Sequence, residues 1–309
     1  MQGETIVITG ASGLLGSTLV RTWAGRYPLV AVSRTSPIRW AGVETLRTDL
    51  LDPSLLCERI AAMRPSLVVH AAAWTDVDAC EADPERAMAL NARASQSLAQ
   101  ASFQAGAAFV YVSTDGVFDG ERGEYLESDL PHPLNVYAVS KLAGEQMALS
   151  AHPQALILRV PLEGWRPAGR PGFIQWVEEG LRRGERVTVC TDWIRSCVFA
   201  ANLPGVLEEV WRRDLQGIYH VAPDTAASNY EMARWTAEIF GLDPANLVPI
   251  SGDGLTLKAR RPKNTSLNPA KLQAVIGNGI WTIRQGIAAM RGERDSGCLA
   301  QLRSLVGAT

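Results

Sequence analysis

The chain has no apolar run near the roughly 20 residues that a bilayer-spanning helix needs, so a transmembrane helix is not expected. Cysteine is sparse, with five scattered residues: Cys57, Cys80, Cys190, Cys197 and Cys298. No pair has CxxC spacing, which leaves neither a disulfide framework nor a zinc site to expect. Neither sign of charge dominates: 30 Lys+Arg stand against 32 Asp+Glu, a formal net charge of −2. That balance speaks against a nucleic-acid binder held by bulk electrostatics and against a polybasic membrane anchor. Internal repeats and low-complexity segments are absent. No charged leader with an apolar core opens the chain; Thr5–Thr9 already reads as a strand, and a reduced, cytoplasmic protein is expected. What is present is ordinary: 309 residues, 47% hydrophobic and 20% charged, enough for a large core in one large domain or two smaller ones.

Short β-rich runs alternate with amphipathic stretches through the first half. Strands are expected at Thr5–Thr9, Leu29–Val32, Val43–Thr48, Leu67–His70, Phe109–Val112 and Ala155–Val160. Helices are expected at Leu14–Ala24, at Pro53–Met63 with Asp52 as N-cap, from Asp83-Pro84 to about Gln104, and from Val136 to about Ser150. Continuous apolar strands between helices predict an α/β fold: a Rossmann-type, doubly wound parallel sheet covered on both faces. Residues 1–160 read as a dinucleotide-binding domain and 161–309 mainly as a smaller α+β substrate-binding domain. A segment near 195–221 is expected to return to the first. Gly164–Gly172 is turn-rich and reads as a lid or crossover. The polar tail from Gly292 leaves a last helix and a frayed end both open.

Gly10-Ala11-Ser12-Gly13-Leu14-Leu15-Gly16 is a GxxGxxG turn between the first strand and the first helix. Gly10 permits the turn, Gly13 lets backbone N–H groups approach a pyrophosphate, and Gly16 lets helix and strand pack closely. A dinucleotide site follows. The second strand ends in Ser33-Arg34-Thr35, where an NAD site usually has an acidic residue for the ribose 2′-hydroxyl. Arg34 suits a 2′-phosphate instead, which favours NADP(H) and leaves NAD(H) open. Asp49 and Leu50, after the third strand, stand where such folds contact adenine.

Tyr137 and Lys141 are spaced i, i+4 on an expected helix and share one face. An ammonium beside a phenol lowers the phenol pKa toward the working range, making the tyrosine a usable general acid. Ser113-Thr114 ends the preceding strand, where a hydroxyl can hydrogen-bond a substrate carbonyl.

With these stretches the chain resembles the extended short-chain dehydrogenase/reductase superfamily, in its dTDP-4-dehydrorhamnose reductase-like branch. The likeness is carried by Gly10–Gly16, His70–Glu81, Ala89–Asn91, Val112–Gly120, Pro133–Glu145 and Arg261–Asn268. It implies NADPH-dependent reduction of a nucleotide-activated 4-keto-6-deoxy sugar. Tyr137 would be the general acid, with Lys141 and Thr114 completing the catalytic set and Asn91 supporting it. Ala71, Ala72, Ala73 and Pro161 would lie against the cofactor, and Thr75, Val77, Thr114, Asp115 and Gly116 near the substrate. Two departures fall on the substrate side. Gly116 replaces a family tyrosine, and Val160–Trp165 replaces a segment ending in Trp-x-Tyr-Gly. The same branch contains the beta subunit of methionine adenosyltransferase, which also has proline at the position of Pro161. A non-catalytic regulatory subunit therefore stands as a second reading, and a sugar-nucleotide epimerase or dehydratase as a third. A homodimer is left open.

Secondary features carry alternatives. His70 closes a buried strand and is expected to be a hydrogen-bonded structural residue. Asp76, Asp78, Glu81 and Asp83 form an acidic cluster, expected to be helix caps rather than a cation site. Trp165, Trp176 and Trp193 are candidates for either the sugar-nucleotide pocket or the second core. Arg195 is ranked ahead of Arg260 and Arg261 as a diphosphate ligand.

Overall fold

A computed structural model describes residues 4–35 and 37–307. The first half runs β1 (Ile6–Thr9), α1 (Leu14–Trp23), β2 (Leu29–Ser33), β3 (Val43–Arg47), α2 (Ser54–Met63), β4 (Leu67–His70), α3 (Val77–Ala82) and α4 (Pro84–Met88). A π-helical turn (Ala89–Arg93) then leads into α5 (Ala94–Ala105), followed by β5 (Ala108–Ser113), α6 (Val136–Ala151) and β6 (Leu156–Arg159). Beyond lie β7 (Leu162–Glu163), α7 (Phe173–Arg182), β8 (Val187–Cys190), β9 (Ile194–Arg195), β10 (Val198–Phe199), α8 (Leu203–Arg212) and β11 (Gly217–His220). The chain closes with β12 (Ala227–Ser228), α9 (Asn229–Phe240), β13 (Leu247–Ile250), α10 (Ala270–Ile276), α11 (Ile283–Asp295) and α12 (Cys298–Leu305).

Seven strands form one parallel sheet in the order β11-β6-β5-β4-β1-β2-β3. Every residue of β1, β2, β4 and β6 is buried, as strands covered on both faces must be. Their alternation splits the core in two. Ile6, Ile8, Leu67 and Val69 face α1 and α8 through Leu15, Leu19, Leu203 and Val206. Val7, Val30, Val68 and Phe109 face α2 and α5 through Leu56, Ile60 and Leu98. The order reverses between β1 and β4, so a crevice opens beyond their C-terminal ends, which positions the site.

Late in the chain, β11 pairs with β6 at the edge of this sheet, and α8 packs on α1. The polar tail is a helix, α12, whose Leu305 joins the same core. Separate apolar clusters of α7, α9 and α11, around Trp165, Met232, Ile287 and Val177, build the remaining unit. Two local expectations differ. Pro53 rather than Asp52 is the N-cap of α2, with the Asp52 carboxylate accepting from the Ser54 N–H at 3.1 Å. The helix from Asp83 is broken by the π turn, and α3 precedes it with Asp76 as its own cap.

Candidate active site

Helix α1 begins where β1 ends, and its N-terminus is left open. Gly13 caps it without a side-chain hydrogen bond, and no acid sits in the first turn. The N–H groups of Leu14, Leu15 and Gly16 have no intrahelical acceptor and carry the positive end of the helix dipole. Gly10 has φ +66°, and a Cβ there would lie 2.8 Å from Ala72 Cα. At Gly16 a Cβ would lie 2.2 Å from the Gly10 carbonyl oxygen. Both spacings demand glycine, so the motif residues make a cradle with backbone donors and no side chain in the way. That arrangement fits a dinucleotide pyrophosphate.

The cradle floors a cleft of about 500 Å³. Gly10, Ser12, Gly13, Leu14, Leu15, Gly16, Arg34, Asp49, Leu50, Ala71, Ala72, Ala73 and Pro161 all line it, as do Thr75, Thr114, Asp115, Tyr137, Lys141 and Arg195. Asn91, Val77 and Gly116 do not. A Cβ on Gly116 would face the Thr114 side chain, 3.4 Å from its Oγ1, so the missing side chain lies behind Thr114. Trp74, Leu90 and Arg166 line the cleft without having been singled out in the sequence, and Leu162, from the departing segment Val160–Trp165, lines it too. No periodic signal marks Trp74, Leu90 or Arg166, because Trp74 and Arg166 lie outside the helices and strands and Leu90 lies on the π turn.

At the inner end, Tyr137 projects from α6 and is half-buried. Burial pushes its phenol up to about 12; the Thr114 hydroxyl works against that shift and the Asp115 charge adds to it. This corrects the expectation that Lys141 brings the phenol down. The Lys141 ammonium instead donates to the Val112 carbonyl at 2.8 Å and stands 4.0 Å above the Tyr111 ring. Burial lowers Lys141 to about 7, with the Glu145 carboxylate opposing. Glu145 is itself buried in a salt bridge to Arg159 at 2.7 Å and accepts from the Ser113 hydroxyl at 2.5 Å. The phenol is thus a protonated donor at neutral pH.

Asn91 is fully buried on the π turn and reaches the cleft only indirectly. Its Oδ1 accepts from the Trp74 N–H at 2.8 Å, and its Nδ2 donates to the Trp74 carbonyl at 3.1 Å and to Ser140 Oγ at 2.9 Å. It clamps the wall formed by residues 71–75, which makes it a positioning residue. A π turn is a common means of re-aiming such a side chain.

His70 is the expected structural histidine, bonded to Thr9 Oγ1 at 2.7 Å and Ser95 Oγ at 3.0 Å. Burial, aided by the Lys141 charge, lowers it to about 3, so it stays neutral. The acidic cluster disperses into caps and pairs. Asp76 and Asp83 cap α3 and α4, Asp78 pairs with Arg261 at 3.1 Å, and Glu81 accepts from the Val136 N–H. No metal-holding group of side chains occurs among the described residues. Arg261 is thereby spent on Asp78, and Arg195 alone of the three arginine candidates lines the cleft. It is held by Glu163 at 3.3 Å and Asn229 at 3.4 Å. Trp165 belongs to the second core, donating to the Met290 carbonyl, and neither Trp176 nor Trp193 lines the cleft.

Comparison with known proteins places this geometry. The chain is 33% identical to a probable low-salt glycan biosynthesis reductase of Haloferax volcanii, over 92% of this chain and 96% of that protein. It is 31% identical to the methionine adenosyltransferase 2 subunit beta of Mus musculus, over 91% and 85% of the two chains. A solved dTDP-4-dehydrorhamnose reductase from Bacillus anthracis, in complex with NADP, superposes with a TM-score of 0.84 at 27% identity, covering 94% and 99%. The model of the RmlD substrate binding domain family matches residues 4–294, and with that span the chain belongs to this family.

Proposed function

We propose that the protein reduces the keto group of a nucleotide-activated sugar with a nicotinamide dinucleotide, NADP(H) by preference. The observation that carries this is one continuous cleft, with the glycine cradle at one end and Thr114, Tyr137 and Lys141 at the other. The names of the Haloferax and Bacillus relatives support the reaction class.

The dinucleotide, held by Gly10–Gly16 and Ala71–Ala73, supplies the hydride when bound. Thr114 hydrogen-bonds the keto oxygen and holds it toward the phenol. Tyr137, protonated at neutral pH, gives its proton to that oxygen as the carbonyl is reduced. Lys141 stands beside the cleft, where its ammonium suits a ribose hydroxyl of the dinucleotide. Arg195 offers a guanidinium to the substrate diphosphate at the other wall. Gly116 and Leu162 mark this chain's departures on the substrate side.

The test is NADPH oxidation against a panel of dTDP-, GDP- and UDP-linked 4-keto sugars. Turnover is expected on at least one, and Tyr137→Phe should lose about 10²–10⁴-fold in kcat while still binding NADPH. Undiminished turnover in that variant would refute the proton donor. The likeness to a methionine adenosyltransferase subunit favours a second, regulatory reading. No oxidation on any sugar, with co-purification of a partner enzyme, would establish that reading instead.

A further inference from the structure

Beyond the glycine cradle the cleft opens into a shallow depression lined by Arg34, Thr35, Arg47, Thr48, Asp49 and Arg86. Arg34, Thr48 and Asp49 line both, so the two spaces are continuous. Three guanidinium groups arrive here from three elements: the end of β2, the last residue of β3, and α4. All three residues are exposed. Arg86 lies over the Trp74 ring at 5.2 Å, and Trp74 is itself a cleft wall held by Asn91. Among the described residues no carboxylate comes within 4.0 Å of any of the three guanidiniums. Eight other surface arginines, Arg26, Arg59, Arg93, Arg122, Arg183, Arg212, Arg213 and Arg284, each find a carboxylate. Arg39, Arg64, Arg170, Arg186, Arg234 and Arg260 do not among the described residues, and what sets Arg34, Arg47 and Arg86 apart is that they line one depression. The single acid in the depression, Asp49, is occupied by the Leu51 N–H at 3.0 Å.

Three guanidiniums against the single Asp49 carboxylate leave the depression with excess positive charge, and an anion placed among them offsets it while gaining charge-assisted hydrogen bonds. We propose that Arg47 and Arg86 complete, with Arg34, a clamp for a phosphate monoester: the 2′-phosphate of the adenosine ribose. The inference rests on the dinucleotide site of the proposed function and adds two residues to it. A dinucleotide with its pyrophosphate on Gly10–Gly16 carries its adenosine ribose toward the end of β2, where this depression begins. The three arginines then decide cofactor choice, because NADH has nothing to offer them.

The experiment is calorimetric binding of NADPH, NADH, 2′,5′-ADP and 5′-AMP to the full chain and to Arg47→Gln and Arg86→Gln. Both positions are exposed, and matching melting curves would show the variants folded. The wild type should bind 2′,5′-ADP at least tenfold tighter than 5′-AMP. Each variant should erode the NADPH-over-NADH preference about tenfold, or ~1.4 kcal/mol. An unchanged preference in both variants would overturn the clamp while leaving the dinucleotide site intact. Inorganic phosphate competing as well as 2′,5′-ADP would also overturn it, in favour of a free-anion site. A wild type that binds neither dinucleotide would instead remove the proposed function itself.

Discussion

Replacing Lys141 with methionine should make the protein more stable and inactive at once. The lysine is 2% exposed and buried beside the Tyr111 ring. Its pKa falls from 10.5 to about 7, mainly by desolvation. Such a descent corresponds to about 5 kcal/mol of disfavoured charge in the folded state, at ~1.36 kcal/mol per pH unit. Because the folded pKa is depressed, the unfolded chain binds more protons between pH 7 and 10.5, so wild-type stability rises with pH across that window. The penalty is complete below about pH 7 and gone above 10.5. Methionine matches the stem in volume but leaves the Val112 carbonyl without the donor now 2.8 Å away, a loss of about 1–3 kcal/mol. The balance is a gain of roughly 2–4 kcal/mol at pH 6, shrinking with pH and reversing to a small deficit near pH 11. Urea unfolding of both proteins at pH 6, 8 and 10, compared pairwise, isolates this one group. A variant less stable than wild type at pH 6, or a difference that does not change with pH, would refute the reasoning.

Two further outcomes test the supports of the site. Asn91→Ala should cost about 2–4 kcal/mol by stripping the partner from the Trp74 N–H and one of the two donors from its carbonyl, the Cys80 thiol being the other, with kcat/KM falling at least about tenfold as the 71–75 wall loosens. Equal urea midpoints and equal kinetics would show that the clamp is not needed. Gly16→Ala drives a methyl into the Gly10 carbonyl, 2.2 Å away, so α1 must move off β1. A loss of about 1–3 kcal/mol and much weaker NADPH binding are expected, by thermal melt and fluorescence titration; an unaltered Kd would count against the cradle.

Much of the fold was legible because its signals are local. The alternation of apolar strands with helices announced a parallel sheet, and β1, β2, β4 and β6 are indeed buried along their whole length. The π turn was not legible. A five-residue widening has no periodicity of its own, and the run from Asp83-Pro84 to about Gln104 reads as one helix. A late return was expected only as a segment near 195–221, and the place of β11 beside β6 is a pairing between segments about 60 residues apart.

For the site, the sequence by itself determined which residues share a turn or a helix face. Gly10, Gly13 and Gly16 had to sit on one strand-to-helix turn, and Tyr137 had to stand one turn from Lys141, because backbone geometry sets those distances. Only the tertiary structure decided where the charges point. It turned the Lys141 ammonium to the Val112 carbonyl, raised the Tyr137 phenol rather than lowering it, and made Asn91 a clamp on Trp74. It also brought Arg47 and Arg86 to Arg34 from separate elements. Desolvation and charge–charge interaction depend on every group within several ångströms, and those neighbours are supplied by packing between distant parts of the chain.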